Sequence, residues 1–133
     1  MEVKIDTKEK FTVVTPISRE LSDNIAANLA ETCLGILKLP TKNLILNLEN
    51  ITGITAIAAE KLSALQQKFY ESSASFVICC MQPTVEEQFE KFELIDLLNI
   101  TPTESEAWDI VQMEEIEREL LDSDDMEFEV HDN

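Results

Sequence analysis

Two short apolar runs limit what this chain can fold into. They are Leu44-Ile45-Leu46-Asn47-Leu48 and Phe76-Val77-Ile78-Cys79-Cys80. Each is bounded by turn-forming or polar residues and is short enough for a strand. A strand with one wet face alternates apolar and polar side chains, because successive residues point to opposite faces. Runs with almost no alternation must be covered on both sides, as in a parallel sheet with helices packed on it. A helical stretch follows each run. After the first, Ala58, Leu62, Leu65 and Phe69 form one stripe between about Ala56 and Tyr70, with Thr55 as the expected N-cap. After the second, Pro83 stands at the start of a short helix through Phe92.

The rest of the chain fits around these units. Val3 and Ile5 alternate with charged residues, Thr7 to Lys10 make a polar turn, and Phe11 to Val14 resume the pattern, which predicts a hairpin over 2–16. Ile25, Leu29, Cys33 and Ile36 predict a helix that starts near Ser22 and closes before Pro40. Glu49 to Thr55 reads as a loop, a short strand is expected near Ile100–Thr103, and a last helix is expected to pack Ala107, Ile110, Val111, Met113, Ile116 and Leu120. The order is β-β-α-β-α-β-α-β-α. It implies an α/β domain with a mixed, mostly parallel sheet, an antiparallel N-terminal strand and about four helices. The domain is expected over 1–121. Residues 122–133 read as a mobile acidic tail, although Met126, Phe128 and Val130 alternate as an edge strand would.

Charge and cysteine usage narrow the function. The 133 residues carry 10 basic and 27 acidic groups, a net of −17. Most of the excess lies after Thr103, where Arg118 is the sole arginine or lysine. Such a chain is a poor ligand for nucleic acid, which needs clustered cations, and for anionic lipid. No apolar run reaches the roughly 20 residues of a membrane span. The charge leaves basic protein surfaces open as partners, although a block of acid of this kind mostly makes a solvated face or tail. Cys33, Cys79 and Cys80 show no disulfide or zinc spacing, and adjacent strand cysteines should face opposite ways, so a reducing, cytoplasmic setting is expected. Met1 is followed by a charged, alternating segment and not an apolar stretch, so no signal peptide is expected.

The residues offer no catalytic constellation. His131 is the single histidine and lies in the tail, only Gly35 and Gly53 are available for a phosphate loop, and no base can be assigned to a Ser or Cys nucleophile. The expectation is a protein that is not an enzyme and needs no metal or cofactor. The most informative stretch is Leu44 to Leu65, where a buried strand leads through a loop to the N-terminus of an amphipathic helix. Free N–H groups and a positive dipole end make such a terminus a natural contact point.

Leu46-Asn47-Leu48-Glu49-Asn50-Ile51-Thr52-Gly53-Ile54 resembles the strand and loop before the phosphorylation site of the STAS domain family, typified by bacterial anti-sigma factor antagonists. Ser75–Met81, Gln82-Pro83-Thr84-Val85, Phe89, Phe92, Leu94 and Leu97-Leu98 are similar to the family's later strand, short helix and return. The resemblance spans roughly residues 3–120 in element order. It implies a regulatory protein-interaction domain whose partner is an anti-sigma factor kinase. The family's Asp-Ser-Ser-Gly loop falls on Thr55, Ala56, Ile57 and Ala58, so the phosphoacceptor position is an isoleucine with no hydroxyl. Thr52 and Thr55 are the remaining candidate acceptors. The expected contact surface is Thr52, Gly53, Ile54, Thr55, Ala56 and Ile57 with Glu60, Lys61 and Ala64 of the following helix. The alternative implied by the same resemblance is a soluble accessory subunit of a membrane transporter complex.

Overall fold

The computed structural model describes residues 2–131, with side chains to Leu121. Its hairpin pairs β1 (Val3–Thr7) antiparallel with β2 (Thr12–Pro16), from Val3 opposite Pro16 to Thr7 opposite Thr12. Then follow β3 (Glu20–Leu21), α1 (Asp23–Ile36), β4 (Leu44–Asn47), β5 (Gly53–Ile54) and α2 (Ala56–Glu71). The chain continues through β6 (Phe76–Cys79), α3 (Pro83–Lys91), a 3-10 turn at Ile95–Leu97, β7 (Ile100–Thr101) and α4 (Glu104–His131). The main sheet has the order β1-β2-β4-β6-β7, with every pair after the hairpin parallel.

Both faces of the sheet are covered, which explains the two dense runs. Val14, Leu44, Leu46, Phe76 and Ile78 point into a large core shared with α1, α2 and α3. Val13, Ile45, Val77 and Cys79 point the other way, onto Ala107 and Val111 of α4. Phe69 of α2 meets Phe76 with ring centroids 5.2 Å apart, and Phe11 stacks on Trp108 at 4.6 Å on the opposite face. Ser22 caps α1 by accepting from the Ile25 N–H at 3.3 Å. Ala26, Leu29, Cys33 and Ile36 form the buried stripe of that helix.

Two features depart from the sequence reading. Gly53–Ile54 is not open loop: it is β5, which pairs in parallel with β3 as a separate two-stranded sheet. Strands of two residues carry too little pattern to register as strands in a sequence. The second departure is in α4. Ala107 and Val111 pack on the sheet, but Met113, Ile116 and Leu120 are exposed at 60%, 54% and 55%. The sheet-facing side of the helix turns polar after Val111. There Glu114 and Arg118 reach Ser75, and Glu115 and Arg118 reach Asn43, at the N-terminal ends of β6 and β4. The backbone stays helical to His131 and does not add an edge strand at 126–130. The side chains from 122 onward, on which the tail reading depends, lie outside the described residues, as do residues 1, 132 and 133.

Candidate functional site

The chain leaves β4 at Asn47, whose side-chain oxygen accepts the Glu49 N–H at 2.9 Å and turns the backbone. Ile51 is fully buried, and its N–H donates to the Leu48 carbonyl at 3.0 Å. The loop is then held from both sides. On one side, the Thr52 N–H donates to the Arg19 carbonyl at 2.7 Å, and the Thr55 N–H donates to the Leu21 carbonyl at 3.2 Å. On the other, Gln82 donates to the Glu49 carbonyl at 2.8 Å, Thr84 donates to the Thr52 carbonyl at 3.0 Å, and the Ile54 N–H donates to Gln88 Oε1 at 3.0 Å. Nearly every backbone N–H of the loop is paired within the protein, so the loop is well braced despite its lack of regular structure.

The helix that follows is capped as the sequence predicts. Thr55 Oγ1 accepts the Ala58 N–H at 3.1 Å and donates to Asp23 Oδ1 at 2.6 Å. One hydroxyl thus caps α2 and ties it to the first turn of α1. Thr52 Oγ1 donates to the Arg19 carbonyl at 3.2 Å. Neither candidate acceptor hydroxyl is idle.

Of the expected contact residues, Thr52, Thr55, Ala56, Ile57, Glu60 and Ala64 are exposed and Lys61 is half-buried. Ile57 projects from the first turn of α2 with 49% of its surface open. Gly53 and Ile54 do not belong to that surface. Both are buried, and Ile54 points into the main core because β5 is paired and covered. A Cβ at position 53 would sit 2.7 Å from the Glu20 carboxylate oxygens, so glycine lets β3 and its side chain lie close. Beside the loop lies a cleft of about 370 Å³ lined by Ile17, Arg19, Glu49, Asn50, Thr52 and Gln82. Periodicity could not foretell that segment 17–21 and α3 brace the loop, because those contacts join residues more than thirty positions apart.

Burial acts on two of the thiols. It pushes Cys33 up to about 12 and raises Cys79 as well, where a hydrogen bond with Cys80 and the nearby Glu104 and Glu49 carboxylates add to the effect. Among the described residues, no group of three His, Cys, Asp or Glu side chains is placed to hold a metal ion, and no helix is long and apolar enough to cross a membrane.

A hairpin leading into a parallel sheet, with a braced loop before a capped helix, defines an α/β domain with a mixed, mostly parallel sheet. The STAS domain family model matches residues 2–107, and the chain belongs to that family. Solved structures agree on the fold. An anti-sigma factor antagonist from Mycobacterium paratuberculosis is 16% identical with a TM-score of 0.72, over 84% of this chain and 93% of that one. The anti-sigma factor antagonist SpoIIAA in its unphosphorylated form is 16% identical with a TM-score of 0.66, over 84% and 96%. The same fold occurs inside the murine anion transporter Slc26a9, at 14% identity and a TM-score of 0.66, over 78% of this chain and 18% of that one. No curated protein matches the sequence.

Proposed function

We propose that this STAS domain is a regulatory, non-enzymatic protein-binding module of the anti-sigma factor antagonist kind, acting in the cytoplasm on an anti-sigma factor kinase. The observation that carries the reading is Ile57. It lies exposed on the first turn of α2, at the position where the family resemblance puts the phosphoacceptor. An isoleucine there accepts no phosphate, and the Thr52 and Thr55 hydroxyls are engaged in holding the loop and the helix. Binding through this surface is therefore constitutive. Its apolar centre is Ile57 with Ala56, and Thr52, Thr55, Glu60 and Lys61 form the rim.

Affinity capture with the full chain from the cell that makes it should retain a kinase-type anti-sigma factor. Ile57→Asp should weaken that complex at least about tenfold, or about 1.4 kcal/mol, because a carboxylate would have to be desolvated inside the contact. Unchanged affinity in a folded Ile57→Asp chain would move the surface elsewhere. Capture of a permease or transport ATPase would replace this reading with the transporter-subunit one. Stoichiometric phosphate on Thr52 or Thr55 after incubation with the captured kinase would overturn constitutive binding.

A further inference from the structure

Three non-glycine residues among those described have positive φ: Ser73, Cys80 and Glu93. Two have an ordinary cause. Ser73 and Glu93 stand immediately after the C-caps of α2 and α3, where a left-handed residue closes the helix. Cys80, at φ 61°, follows a strand and has no such role. Its conformation breaks the alternation of β6. Instead of facing away from Cys79, the Cys80 side chain joins it on the α4 face, where Cys79 belongs to the buried cluster that includes Ala107, and Cys80 and Trp108 both pack at its margin. The two sulfurs are 3.6 Å apart. Cys79 is buried and Cys80 is partly open to solvent.

The geometry points to a modification site: Cys79 and Cys80 are a vicinal dithiol that closes reversibly to a disulfide on reaction with low-molecular-weight disulfides. The open position of Cys80 makes it the attacking group. Its thiolate displaces one thiolate from the small disulfide and forms a mixed disulfide. Cys79 sulfur then attacks the Cys80 sulfur and expels the second thiolate. The protons of the two cysteines end on the two thiols released, so the pair is oxidised by two electrons and one small disulfide is reduced. The Cα atoms of neighbouring residues are about 3.8 Å apart across a trans peptide, closer than the usual 4.4–6.8 Å of a disulfide. A bond formed there is strained and easily reduced, as a reversible modification requires. The site lies at the carboxyl end of β6, where the Cys79 carbonyl accepts the Leu48 N–H at 3.0 Å. That bond anchors the first residue of the braced loop.

The test treats the folded full chain with oxidised glutathione, blocks free thiols with N-ethylmaleimide in denaturant, and measures intact and tryptic masses. The expected product has lost two hydrogens, both within tryptic peptide 69–91, and carries a single maleimide at Cys33. The emission of Trp108, the chain's only tryptophan, should change with the same time course and return on reduction. Cys79→Ser should stop at a glutathione adduct on Cys80. A stable adduct on Cys80 in the parent chain, a disulfide-linked dimer, or three maleimides would each overturn the proposal.

Discussion

Cys33 shows how a single buried atom becomes a property of the folded protein. It lies fully buried on the inner stripe of α1, and burial alone raises its thiol from 9.0 to about 12. Below about pH 9 both folded and unfolded chains hold this proton, and the thiol leaves stability independent of pH. Above it the unfolded chain releases the proton while the folded chain keeps it, so stability falls as pH rises, until the folded thiol titrates in turn. The loss reaches about 1.4 kcal/mol by roughly pH 10 for one such group. Cys79 shifts in the same direction and adds to the fall. Urea unfolding at about pH 8 and about pH 10 should therefore show a smaller alkaline loss in Cys33→Ala than in the parent, whatever the two chains' stabilities at neutral pH. Equal alkaline losses would mean that the unfolded chain protects this thiol too. The engaged hydroxyls of Thr52 and Thr55 belong to the same scale. Both are loop threonines rich in surface, yet each spends its hydrogen on a neighbour seen only in three dimensions.

Thr55 also governs an element. Its hydroxyl satisfies one of the free N–H groups at the start of α2 and bonds to Asp23 at the start of α1, so Thr55→Ala loosens two helix termini at once. The expected cost is about 0.5–2 kcal/mol, with Thr55→Ser recovering most of it. Thermal or urea unfolding of the two variants decides this, and an Ala variant as stable as the parent would show that water replaces the cap. This cap was legible from residue order, as were the hairpin, α1, both double-covered strands and the proline start of α3. Their signals are local: a period, a turn residue, a cap. Long-range contacts were not legible. The period of α4 contains two stripes, and only the sheet decides between them. Ala107, Val111, Glu114 and Arg118 face inward, so Met113, Ile116 and Leu120 are left outside. A polar cluster at Asn43 and Ser75 does what apolar packing was expected to do. In the same way β3 and β5 exist because their neighbours hold them, and the facing of Cys79 and Cys80 follows from one backbone angle that no residue count reveals.

At the scale of the whole molecule the question is where the folded unit ends. The family match stops at residue 107 and the last described inward contact of α4 is made by Arg118. Beyond it Leu120 and Leu121 are exposed, at 55% and 64%. The backbone helix runs on to His131, but a helix can propagate from a formed stem at one hydrogen bond per residue without any tertiary support. Residues 122–133 add six acids and no lysine or arginine, so their removal brings the net charge from −17 to −11. Acids at a helix C-terminus also oppose the negative end of its dipole. We propose that the stabilising unit is complete at Leu121. Truncation there should leave the melting temperature nearly unchanged, or raise it slightly at low ionic strength where self-repulsion is least screened. A melting temperature lower by more than about 4–8 °C, equivalent to roughly 1 kcal/mol in a domain near this size, would show instead that the end of α4 docks on the body of the protein. Repeating the scan in added salt separates the two contributions. A gain from truncation that disappears with salt is electrostatic, whereas a loss that persists in salt is lost packing.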